Sequence, residues 1–273
     1  MIAIRRFGSG DPIVALHGFT LTGAQFSSLD LDRIQIVAPD LPGHGDTEAA
    51  GTDPDEVLRD IAAVIRCEAP HTPVLGYSQG ARLALSMTAQ GLVHPSALIV
   101  ISGTPGILDD ADRAQRAAKD RETAGTITKH GIETFIDSWV DGGLTSTSHL
   151  DPEVRTRDRQ IRLTNTAEGL ASALQGYGQG AMTPVWHLLD RIQMPTLVVT
   201  GADDARYTAI GVQMAEAIGP NAEFIAVNAA GHNPLMDQPT ATAAIVAGFL
   251  RQTTSSGSET AGSIGTGEPE DQS

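Results

Sequence analysis

The sequence predicts an α/β protein, a mostly parallel, doubly wound sheet with a helical cap inserted into it. Two patterns carry that expectation. Short β-branched runs stop repeatedly at Gly, Pro or Asp, and helical stretches alternate with them along most of the chain. A third pattern marks an exception: between residues 106 and 183 the alternation stops, and charged, Ala-rich helical sequence follows without a convincing strand.

The expected strands are IVALHG (13–18), IQIVAPD (34–40), PVLGYS (73–78), ALIVISG (97–103), PTLVVTG (195–201) and EFIAVNAAGH (223–232). Their near-continuous apolarity suits strands covered on both faces, as in a parallel sheet flanked by helices. Helices are expected at 54–69, 79–90, 208–218 and 239–251. The chain therefore divides into a sheet core (1–105 and 184–252) and a helical cap (106–183). Residues 253–273 are rich in Gly, Ser and Thr and carry acidic but no basic side chains, so they are expected to form a disordered tail.

A net charge of −15 provides no Lys/Arg excess to displace counterions from a phosphate backbone, so nucleic acid is an unexpected partner. Cys67 is the single cysteine, which excludes an internal disulfide and a cysteine-based zinc site. On the helix 54–69 it reads as a small buried or half-buried residue, and its solitude suits a reducing cytoplasm. No apolar stretch approaches the ~20 residues of a membrane span, and MIAIRRFGSGD lacks the apolar core of a signal peptide. Neither membrane attachment nor export is expected.

Chemistry enters at VLGYSQGAR (74–82), where Gly76-Tyr77-Ser78-Gln79-Gly80 joins a strand to a helix. A serine on so sharp a turn exposes its hydroxyl above the sheet, and the glycines remove Cβ atoms where strand and helix crowd together. Helix capping by Ser78 is the alternative use. A nucleophilic or basic serine needs an imidazole, and the imidazole needs an acid to fix its tautomer. His232 lies in a loop after the last strand, and Asp203 and Asp204 end another strand. Asp204, three residues past Gly201, is preferred as the acid, with Asp203 as a loop residue. The loop LHGFT (16–20) follows the first strongly apolar strand, and Phe19 and Gln79 are positioned to offer backbone amides to a developing oxyanion. His17 and Gly18 then read as structural, and Asp40, Gly43 and Gly45 of DLPGHGDT as turn formers.

The set HGF, DLPGHG, GYSQGAR, GADD and AAGH resembles the α/β-hydrolase superfamily, whose triad runs Ser, Asp, His in chain order. Arg82, TPGILDDADRAQRAAKDR (104–121), FIDSW (135–139) and RQIRLTNTAEGLASAL (159–174) are further similar to the MenH synthases of menaquinone biosynthesis. Those enzymes make 2-succinyl-6-hydroxy-2,4-cyclohexadiene-1-carboxylate by eliminating pyruvate from a tricarboxylate, without metal or organic cofactor. The resemblance implies that Arg82, Arg116 and Arg162 clasp a polycarboxylate, with Tyr77 and Trp139 lining its pocket. Guanidinium groups suit that task because their planar forks match carboxylates. A carboxylesterase or C–C bond hydrolase would use the same triad under an apolar cap, and a non-catalytic receptor would need no complete triad.

Overall fold

The computed structural model describes residues 1–260, apart from Ala50 and Thr52. Its centre is a 7-stranded sheet in the order β1-β3-β2-β4-β5-β6-β7. The strands are β1 (Ile4–Gly8), β2 (Asp11–Leu16), β3 (Ile34–Pro39), β4 (Val74–Tyr77), β5 (Leu98–Ile101), β6 (Thr196–Gly201) and β7 (Ala222–Val227). All neighbours are parallel except β1, which lies antiparallel along the outer edge of β3.

Helices α1 (Pro54–Glu68), α2 (Gln79–Ala89), α7 (Ala205–Ile218) and α9 (Pro239–Thr260) belong to the sheet layers. Between β5 and β6 stand α3 (Asp110–His130), α4 (Ile132–Asp141), α5 (Pro152–Arg162) and α6 (Ala167–Tyr177); the short α8 (Pro234–Asp237) precedes α9. Helix α9 continues past residue 252, and residues 261–273 of the expected tail lie outside the described residues.

The period-2 geometry of the strands divides the core into two layers. Val14, Leu16, Val74, Leu98, Val100 and Val198 face one layer, with Val57, Leu58, Ile61 and Ile65 of α1. Ile13, Ala15, Leu75, Ile99, Ile101, Leu197 and Val199 face the other, with Phe26, Val246 and Phe249. Continuous apolar runs were therefore required, because each alternate residue meets a different helix layer. Helix α2 is buried along its whole length, so its run of Ala, Leu and Met has no polar face.

The insertion between β5 and β6 has a small core of its own. Ala124, Ile127, Phe135, Ile136, Val140, Leu170, Ala171 and Leu174 pack together there, and Phe19 reaches them from the sheet side. Helix α6 joins the two units, since its Ala173 and Tyr177 belong to the sheet core instead. Local signals set these helices: Asp109 caps α3 through the Asp112 amide, Thr166 caps α6 through the Gly169 amide, and Gly131 ends α3 at φ +80°.

Two details differ from the sequence reading. Strand β1 was not anticipated, because an edge strand is covered on only one side and IRRFG carries two arginines in its middle. Cys67 is exposed on α1 rather than buried. The buried stripe of α1 runs through Val57, Leu58, Ile61, Ala62 and Ile65, and position 67 falls off it. Among the described residues no helix is long and apolar enough to cross a membrane.

Candidate active site

Ser78 sits between β4 and α2 with φ +51° and ψ −105°, a strained backbone for a residue with a side chain. The turn is enforced by contact. A Cβ on Gly76 would lie 2.5 Å from the Ala81 nitrogen, and one on Gly80 would lie 2.1 Å from the Leu16 carbonyl oxygen. The Ser78 amide donates to the Ile101 carbonyl at 2.8 Å, and the Gly80 amide to the His17 carbonyl at 3.0 Å. No side-chain capping bond is made by Ser78, so the capping role does not apply.

The serine hydroxyl instead lies 3.0 Å from Nε2 of His232, whose Nδ1 lies 2.8 Å from Oδ2 of Asp204. Asp204 also caps α7, with Oδ1 accepting the Tyr207 amide at 3.1 Å. Burial would raise its pKa, but the His232 hydrogen bond and then the Tyr207 amide reverse that effect and hold it below the ordinary carboxylate value. Asp203 is exposed, and its backbone amide donates to the Ala230 carbonyl at 2.9 Å. Tyr207 and Tyr77 flank the imidazole, with ring centroids 4.4 and 5.9 Å away. Burial pushes the Tyr77 phenol well above its ordinary pKa, so it stays neutral.

The loop carrying Phe19 rests on two neutral histidines. His17 is fully buried, which lowers its pKa to about 4. Its Nε2 accepts the Leu41 amide at 2.8 Å, so Nδ1 carries the proton and faces the Gly18 carbonyl at 2.9 Å. His44, lowered to about 3 by burial, meets His17 edge-on at 5.0 Å and Phe19 at 5.8 Å. A Cβ on Gly18 would strike the Tyr77 ring at 2.7 Å. Gln79 is the first residue of α2, where backbone amides have no intrahelical acceptor. The bond from the Gly80 amide to the His17 carbonyl joins the Phe19 loop to the start of α2.

The expected cap residues are distributed around this centre. Arg82 is buried one turn after Ser78, with Nε on Met182 Sδ at 3.2 Å and an NH2 group on the Tyr177 carbonyl at 3.3 Å. That carbonyl ends α6, where the helix dipole favours a cation. Burial lowers the Arg82 pKa to about 10, with nearby Arg116 adding to the effect, and the group remains charged at neutral pH. No carboxylate among the described residues pairs with it.

Arg116 is bound to Asp120 at 2.8 Å and to Gln179, and Arg162 to Asp158 at 2.7 Å and to Thr20. Trp139 packs against Phe19 and Phe135, each at 5.4 Å, and its buried Nε1 meets no acceptor among the described residues. A cleft of about 330 Å³ opens on the His232 side of the triad, and Tyr77, Arg162, Asp203, Asp204 and His232 line it. Arg82, Arg116 and Trp139, like Ser78 itself, are not among the residues that line it.

The sequence reading passed over several supports. Asp40, read as a turn former, is fully buried and accepts from Arg5, the Gly23 amide at 2.8 Å and the Asp46 amide at 3.1 Å. Asn165 spans core and cap, donating to the Thr20 carbonyl at 2.7 Å and accepting the Gly45 amide at 2.9 Å. Its only signal was its place three residues after Arg162. Tyr177 donates to the Pro42 carbonyl at 2.5 Å and had no local signal at all.

Comparison with known proteins places the fold. A model of the alpha/beta hydrolase family matches residues 13–245. The chain belongs to the alpha/beta hydrolase family. Among relatives in that family, a Bacillus subtilis protein named for 2-succinyl-6-hydroxy-2,4-cyclohexadiene-1-carboxylate synthase activity is 31% identical over 250 residues, covering 89% of this chain and 91% of that one. The synthase of that name from Salmonella arizonae is 27% identical, over 89% of this chain and 95% of its own. Among solved structures, MenH from S. aureus superposes with a TM-score of 0.85 at 27% identity, covering 92% of this chain and 98% of that one. A thermophilic esterase from Thermogutta terrifontis reaches 0.79 at 24% identity over 92% of this chain and 93% of its own, a likeness of fold.

Proposed function

We propose that this protein is a carbon–oxygen lyase of menaquinone biosynthesis. In this reading it eliminates pyruvate from 2-succinyl-5-enolpyruvyl-6-hydroxy-3-cyclohexene-1-carboxylate to give 2-succinyl-6-hydroxy-2,4-cyclohexadiene-1-carboxylate. The observation that carries the reading is Arg82, a buried cation paired with no carboxylate among the described residues, one helical turn beyond a serine that is bonded to His232. An ester hydrolase has no need of such a charge, whereas a substrate with three carboxylates does. The relatives that bear the synthase name over most of their length support the same substrate class.

His232 Nε2, with Asp204 fixing its tautomer, takes the Ser78 proton as Ser78 Oγ takes the proton from the ring carbon bearing the succinyl group. The electron pair of that C–H bond is held by the succinyl carbonyl, whose oxygen becomes negative against the Phe19 and Gln79 amides. The ring double bond then shifts, the C–O bond to the enolpyruvyl group breaks, and the proton on His232 passes to the departing group to give pyruvate. Serine serves here as a relay base, and no acyl bond forms. Arg116 and Arg162 close on the remaining carboxylates from the cap, residues 106–183, with Tyr77 and Trp139 bounding the ring.

One observation favours a hydrolase instead: Arg116 and Arg162 already hold Asp120 and Asp158, so two of the three arginines have protein partners. Pyruvate release from the enolpyruvyl substrate, measured beside hydrolysis of nitrophenyl esters, separates the two. Rapid pyruvate release with slow ester turnover is expected, and the reverse ratio would overturn the lyase reading.

A further inference from the structure

We propose that Asp237 is a positioning residue, which holds the loop bearing His232 at the distance from Ser78 that proton transfer requires. The proposal rests on the triad assignment above but on no particular substrate. The loop is not self-supporting. Ala229 takes a left-handed backbone at φ +53°, and Gly231 follows two residues later with its carbonyl pressed against Gly201, where a Cβ would lie 1.9 Å away. A strained turn of this kind persists only where its surroundings fix it.

Asp237 supplies a charged tie to the loop besides the His232–Asp204 pair. Its Oδ2 accepts the Gly231 amide at 2.7 Å, one residue before the imidazole, and its Oδ1 meets His149 Nε2 of the cap at 2.9 Å. The side chain is 8% exposed, and both oxygens are committed, so its rotamer is set from both sides. The neighbouring Gln238 adds a weaker contact, donating to the Ala229 carbonyl at 3.1 Å. A hydrogen bond accepted by a carboxylate is shorter and roughly twice as strong as a neutral one, which suits it to hold a strained amide. His232 must meet Ser78 and Asp204 together, at 3.0 and 2.8 Å, so a shift of the loop by a fraction of an ångström weakens both contacts.

The experiment uses the rate at which a fluorophosphonate labels Ser78 in the full-length protein. The serine oxygen attacks phosphorus, fluoride leaves and His232 takes the proton, so the rate reports the triad without reference to pyruvate elimination. Asp237→Ala is expected to slow labelling at least about tenfold, and Asp237→Asn, which keeps an acceptor for the Gly231 amide, to stay within about threefold of the native rate. Native labelling in the alanine variant would overturn the proposal. So would a collapse of labelling in Asp237→Asn with an unchanged melting temperature, whether or not the alanine variant folds. If Ser78 in the native protein labels readily but pyruvate is not released, the lyase reading fails while this one stands.

Discussion

The sheet core and the cap hold their functional groups by different means. Around Ser78 the geometry is written into the backbone: a left-handed serine, glycines at 76 and 80 with no space for a Cβ, and a histidine–aspartate pair anchored to strand ends. In the cap the charged groups are held by side chains one turn away on the same helix, Arg116 by Asp120 and Arg162 by Asp158. The first kind of site tolerates almost no adjustment. The second depends on side-chain rotamers, so under the proposed function a ligand carboxylate would take the place of the protein one. The difference teaches that the core holds its groups through backbone geometry, while the cap holds its charges through side-chain pairs.

Breaking the core side gives the largest effect. Ser78→Ala is expected to lower kcat by three or more orders of magnitude, on the scale of losses seen when a triad member is removed, while the melting temperature stays unchanged. Steady-state pyruvate release and a thermal scan check both parts. Retention of about a tenth of the native rate would show that the hydroxyl is not the reacting group.

Arg82→Ala sits where the two regions meet. Losing a charge-assisted contact to a substrate carboxylate in a buried site costs about 2–4 kcal/mol, or roughly thirty- to a thousand-fold in kcat/KM for pyruvate release. A neutral nitrophenyl ester is expected to change less than about threefold. The same arginine ties α2 to the Tyr177 carbonyl and Met182, so equal losses with both substrates would assign it to holding cap and core together.

Those two variants also mark what was legible in the sequence. Ser78, Asp204 and His232 were readable because strand ends, glycines and chain order are local signals that the parallel sheet converts into proximity. The parallel strands and the helices that follow them were readable for the same reason. Edge strand β1 was hidden, since an outer strand need not be apolar. Asp40 was misjudged because its partners, Arg5 and the Gly23 amide, come from distant segments, and burial of a loop carboxylate leaves no periodic trace. The arginines are visible as charges, but the sequence does not show that Arg116 holds Asp120 and Arg162 holds Asp158.

Asp40 sharpens the core side of the comparison through stability. Burial opposes its charge, yet Arg5 and the amides of Asp46 and Gly23 outweigh that and depress its pKa. A carboxyl with a folded pKa below its unfolded value near ~3.9 contributes stability above that value, and loses it as pH falls through the folded pKa. Asp40→Ala leaves the buried Gly23 amide and the part-buried Asp46 amide without their acceptor and is expected to cost roughly 1–3 kcal/mol at neutral pH. Urea unfolding between pH 7 and pH 3 checks the sign: the gap between native and variant protein should narrow toward the acid end. A constant gap would mean that the carboxylate charge is irrelevant.

The smallest effect is expected at Arg159, which stands one turn before Arg162 on α5 and tests whether charge in the cap matters by location. Arg159 reaches Asp137 of α4 with bonds of 2.6 and 3.1 Å, and that partner carries a depressed pKa for this reason. Both groups face water, where screening and the entropy of long side chains cancel most of the Coulomb attraction. Arg162 is buried, bonded to Thr20 beside the Phe19 loop, and lines the cleft next to His232. Arg159→Ala is therefore expected to leave kcat/KM for pyruvate release within about twofold of native and the melting temperature within about 2 °C. Arg162→Ala should raise KM well beyond that range. Equal effects at the two positions would mean that the cap attracts anions through its general basic surface on α5, and that the exchange of Asp158 for a substrate carboxylate is not what admits the substrate.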